Sequence, residues 1–156
     1  MHLPHCLRAS LRQRFILEPA DLLPHLAALD DRCDLDGRWR VAELYCGNDT
    51  WRAAVQALMA RSELVAVDLC GFGPDHQGCR FELQALVDLV PAERVALLVD
   101  QTTDLDFLAP TLTSAAASSP GGPAAATMAR VSLDDGEAAV VDELLRRAAG
   151  TTGARA

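Results

Sequence analysis

Along the chain, apolar residues alternate between short continuous runs and helical stripes. Leu64–Cys70 (LVAVDLC) and Arg94–Val99 (RVALLV) are near-continuous apolar runs rich in valine and leucine. Such runs predict strands covered on both faces of a sheet. Elsewhere the spacing changes to that of a helix. Trp51, Ala54, Val55, Leu58 and Met59 recur at i, i+3, i+4, i+7, i+8, behind the capping side chains of Asn48, Asp49 and Thr50. A helix is expected over Cys79–Val90, where Pro91 ends it, and another over Asp104–Leu112, where Thr103 and Asp106 have capping-box spacing. Met128–Leu133 predicts a last short strand. Asp134 opens a final helix to about Ala149, with Val141, Leu144, Leu145 and Ala148 inward and Gly150 at its stop.

The first part of the chain is less sharply patterned. Leu11–Leu17 reads as a strand, while Leu7, Leu11 and Phe15 also fall at helical spacing, so both readings stand. Asp21–Asp31 predicts a helix with Leu22, Leu23, Leu26 and Leu29 on one side, and Pro24 is tolerable in its first turn. Asp34-Leu35-Asp36-Gly37 is turn chemistry, and Arg38–Cys46 reads as a strand. Strands and helices thus alternate, which predicts a parallel sheet with right-handed crossovers. The expectation is a single α/β domain over 1–156, a three-layer flavodoxin-like fold with a mostly parallel five-stranded sheet in the order 2-1-3-4-5. Residues 1–37 form its weakly defined first βα unit. Thr113–Ala126 (TSAAASSPGGPAAA) is uncharged and built of small residues, and reads as a flexible loop.

Composition narrows the chemistry. The chain has 156 residues, and alanine (27) and leucine (24) dominate its apolar half, so the core is aliphatic. All 14 basic residues are arginine. Without lysine there is no Schiff-base chemistry, Walker-type phosphate loop or Ser–Lys dyad. A net charge of −8 leaves no broad basic footprint for nucleic acid. No apolar run approaches a membrane span, and Met1-His2-Leu3-Pro4-His5 does not open a secretory signal. Five irregularly spaced cysteines without a C-x-x-C pair read as reduced thiols of a cytoplasmic protein. The C-x5-H-x2-C spacing of Cys70, His76 and Cys79 matches no structural-zinc pattern, so no metal ligand is assigned. Cys70 reads as a buried strand residue. Cys79, at a helix start beside Arg80, is open to a lowered pKa.

In parallel α/β sheets ligands bind at the carboxyl ends of the strands. Asp68 lies within one predicted strand, near its end, and Asp100 follows another; between them lie Gly71, Phe72 and Asp75 in a glycine-rich loop and Glu82 in the first turn of the next helix. There the helix dipole favours an ionised Glu82. A carboxylate so placed can face an oxocarbenium-like sugar centre or bind ribose hydroxyls. It can equally do no more than complement the helix dipole.

The segment Trp51–Leu112 resembles bacterial TIR-like (Toll/interleukin-receptor-like) domains. The resemblance rests on Trp51-x3-Val55-x2-Leu58-Met59-x2-Ser62, Leu64-Val65-Ala66-Val67-Asp68, Gly78-Cys79-x2-Glu82-Leu83 and a hydrophobic strand ending at Asp100. It is also similar to nucleoside 2-deoxyribosyltransferase-like families, through Asp75-x-x-Gly78-x-x-x-Glu82, one residue longer in its first gap than their pattern. Both resemblances imply a catalytic glutamate at Glu82 acting on a ribose-to-base bond; Asp68, Gly71, Phe72, Asp75 and Asp100, at the same strand-end edge, are the expected ligand contacts. The resemblances imply NAD as a possible substrate rather than a cofactor. The alternative expectation is a non-catalytic signalling or scaffolding module that acts through a protein partner or self-association, membrane-adjacent only through such a partner.

Overall fold

The computed structural model describes residues 15–29, 42–119 and 128–152. Five strands and five helices alternate along them, so the chain is α/β. The chain divides into two compact units at Leu58 and Met59. The expected single five-stranded sheet is instead two parallel sheets, one of two strands and one of three.

In the first unit, β1 (Phe15–Ile16) pairs in parallel with β2 (Tyr45–Cys46), Phe15 opposite Tyr45 and Ile16 opposite Cys46. Phe15 and Tyr45 stack with ring centroids 5.1 Å apart. The strand alternative for Phe15 is therefore the one adopted, and Pro19 and Gly47 follow closely on the carboxyl ends of the two strands. Residues 11–14 and 38–41 of the two expected strands lie outside the described residues, as do the Asp34–Gly37 turn and the tail of the Asp21–Asp31 helix. What is seen of that helix is a 3-10 turn at Pro19–Asp21 running into α1 (Leu22–Ala27). Its expected apolar side is only partly used: Leu26 is buried, whereas Leu23 is 73% exposed. Six residues make too short a helix to carry four leucines on one side. Buried Thr50 donates its hydroxyl to the Ile16 carbonyl at 2.7 Å, so it anchors β1 rather than capping the helix that follows. That helix, α2 (Trp51–Arg61), runs through the division between the units.

The second unit is built on β3 (Val65–Asp68), β4 (Val95–Val99) and β5 (Ala129–Ser132), in the order β3-β4-β5. Val65 pairs with Val95 and Asp68 with Leu98; Ala96 pairs with Ala129 and Val99 with Ser132. The central strand behaves as expected: four of its five residues are buried. β3 does not. Val67 is buried but Ala66 and Asp68 are exposed, the alternation of a strand with one open face. α3 (Gln77–Leu89) joins β3 to β4 and ends before Pro91. It buries Leu83, Ala85, Leu86 and Val87. Arg94, just before β4, donates to the Glu63 carbonyl at 3.0 Å and ties down the amino end of β3.

α4 (Leu105–Ser118) packs against α3. Its cap lies one residue later than expected: the Asp104 carboxylate accepts the Phe107 N–H at 2.9 Å. The helix also continues through Thr113–Ser118, the first part of the expected flexible loop. Ala115, Ala116 and Ala117 are strong helix formers, and buried Ala115 gives the extension a packed side. Residues 120–126 of that loop lie outside the described residues. After β5, a 3-10 turn (Leu133–Asp135) and Gly136 at φ +89° lead into α5 (Glu137–Thr152). Gly150 lies inside this helix and does not stop it. Val141 and Leu145, expected inward, are 44% and 62% exposed. Among the described residues, no helix is long and apolar enough to cross a membrane.

Candidate functional site

The carboxyl ends of β3 and β4 bring together the loops that hold most of the expected site residues. Beyond β3 the chain turns sharply at Gly71, whose φ of +68° a side-chain-bearing residue adopts only at a cost. The turn sends Phe72 back into the core, where its ring lies 5.6 Å from that of Phe107. Phe72 is 1% exposed and offers a ligand no surface; it serves as the floor of the loop.

Hydroxyl and backbone hydrogen bonds then stitch the two loops together. The Thr102 hydroxyl accepts the Gly71 N–H at 2.7 Å and donates to the Asp100 carboxylate at 2.6 Å. Buried Thr103 donates to the Leu69 carbonyl at 2.9 Å and accepts the Asp100 N–H at 3.1 Å. The Asp104 N–H donates to the Phe72 carbonyl at 3.0 Å. Thr102 carries no motif, and Thr103 stands out in the sequence only as a capping-box candidate; their place directly after an apolar strand ending in aspartate is the one signal for this role. His76 closes the loop from the other side: its Nδ1 accepts the Gly73 N–H at 3.2 Å. That bond requires a ring unprotonated at Nδ1.

Asp68 and Asp100 meet at Cys70. Asp68 accepts the Cys70 N–H at 2.9 Å, and the Cys70 thiol hydrogen-bonds both carboxylates. Cys70 is exposed, beyond the end of β3, rather than a buried strand residue. The bond to Asp68 is the main reason that its thiol is pushed up to about 12; desolvation and the Asp100 charge add to it. In return, the Cys70 thiol and N–H hold Asp68 below the usual carboxylate range. Asp100 is held low chiefly by the Thr102 hydroxyl. Both aspartates therefore keep their charge in mildly acidic solution.

Glu82 differs from them. α3 begins at Gln77, so Glu82 is its sixth residue and lies in the second turn, not the first. There the N-terminal dipole has faded. Burial dominates instead and raises the pKa of the half-buried carboxyl, the reverse of the expected direction. Cys79 behaves likewise: burial raises its thiol first, then the Glu82 charge, with a smaller contribution from Asp68. The activated thiol considered for Cys79 is thus absent. Asp75 is exposed at the start of α3, where its carbonyl accepts the Gln77 N–H.

Among the described residues, no three histidine, cysteine, aspartate or glutamate side chains gather closely enough to hold a metal ion. Comparison with known proteins adds no relative: no protein-family model, curated protein or solved structure matches the chain.

Proposed function

We propose that the carboxyl edge of β3 and β4 binds an N-ribosyl ligand of the nucleoside class, and that Glu82 and Asp68 cleave its bond between ribose and base. The observation that carries this reading is the contrast between two carboxyls of neighbouring elements, Asp68 at the end of β3 and Glu82 in the second turn of α3. Asp68 is held ionised by hydrogen bonds, while Glu82 is driven toward its protonated form by burial. Two carboxyls whose surroundings push them in opposite directions suit a paired acid and charge stabiliser. In this scheme Glu82 gives its proton to the departing base nitrogen as the C1′–N bond breaks. The electron pair of that bond leaves with the base. Asp68 faces the positive charge that develops at C1′. Water then adds to C1′ and returns a proton to Glu82, so the net reaction is hydrolysis.

The electrostatics of the edge favour a nucleoside over a dinucleotide. Asp68, Asp75, Asp100 and Asp104 ring these loops, and carboxylates pair well with ribose hydroxyls but repel a pyrophosphate. The resemblance to families that act on N-ribosyl bonds supports the same class.

The test is release of free base, followed by chromatography, from purine and pyrimidine nucleosides and from NAD, with wild type, Glu82→Gln and Asp68→Asn. Release from nucleosides by wild type and its loss in Glu82→Gln is the expected result. Equal release by Glu82→Gln, or none from any substrate, overturns the reading; release from NAD alone overturns the preference for a nucleoside.

A further inference from the structure

We draw no further inference here: the strongest candidate, the side-chain cluster of Asp68, Cys70 and Asp100 at the carboxyl ends of β3 and β4, belongs to the site already described, and its hydrogen bonds run within the two loops rather than toward a ligand.

Discussion

The contact between Cys70 and Asp68 makes an unusual forecast for an exposed thiol: slow reaction. An ordinary cysteine thiol titrates near 9.0, and that of Cys70 is pushed up to about 12. At neutral pH its thiolate fraction is therefore about a thousandfold lower than that of a free thiol. A more basic thiolate is a better nucleophile, which recovers roughly 15- to 30-fold of this loss. The balance is alkylation about 30- to 60-fold slower than that of an unconstrained exposed cysteine. The perturbation is Asp68→Asn, which removes the negative acceptor of the thiol proton and leaves Asp100 in place. Cys70 should then react about tenfold faster. The assay is timed alkylation with iodoacetamide, read by fragmentation of the tryptic peptide between Arg61 and Arg80, which holds both Cys70 and Cys79. Wild-type Cys70 reacting at the rate of a free thiol refutes the reasoning. An unchanged rate in Asp68→Asn refutes the assignment of the cause.

Two further predictions concern stability. Thr103→Val keeps the shape of a buried side chain but leaves the Asp100 N–H without its partner and removes one bond to the Leu69 carbonyl. The cost is about 1–3 kcal/mol, a fall of roughly 3–10 °C in Tm for a chain of this size. Thr102→Val, at an exposed position, should cost less, and equal melting of wild type and Thr103→Val contradicts the stitching of the two loops. Burial raises the Glu82 pKa, so the folded protein retains a proton there that the unfolded chain releases near its ordinary value of 4.5. Stability is therefore lost as pH rises from that value through the folded one. Glu82→Gln should melt higher than wild type at neutral pH, and the difference should vanish below about pH 4.5. Asp68 has the opposite sign: its contribution is present above the ordinary 3.8 and is lost as pH falls through its lowered folded value. Asp68→Asn should thus flatten the acid limb of the same melting profile.

The parts of the chain that were legible are those where one local rule acts without competition. The RVALLV run yields a strand buried along most of its length, and Pro91 ends the helix before it. Asp68 and Asp100 were recognisable as strand-end carboxylates, and the structure joins them through Cys70. Elsewhere tertiary context decided. The periodicity of α5 contains two apolar sides, and spacing alone does not tell which of Val140 and Val141 faces the body. Phe72 lies in a glycine-rich loop that looks exposed, yet the turn at Gly71 sends its ring inward. Alanine and serine after Thr113 are loop-like in composition, but their helix propensity extends α4. The Glu82 surroundings depended on where α3 begins, and a start two residues earlier than expected moved this residue out of the first turn and into partly buried surroundings.

The measurement that bears most directly on the proposed chemistry is the pH profile of kcat/KM for nucleoside cleavage, compared between wild type and Glu82→Gln. Wild-type activity should fall as pH rises through the raised Glu82 value, because the proton that leaves with the base is then gone. Glu82→Gln should show low activity without that limb. A wild-type profile flat across this range, or the same falling limb retained in Glu82→Gln, would contradict the assignment of Glu82 as the acid.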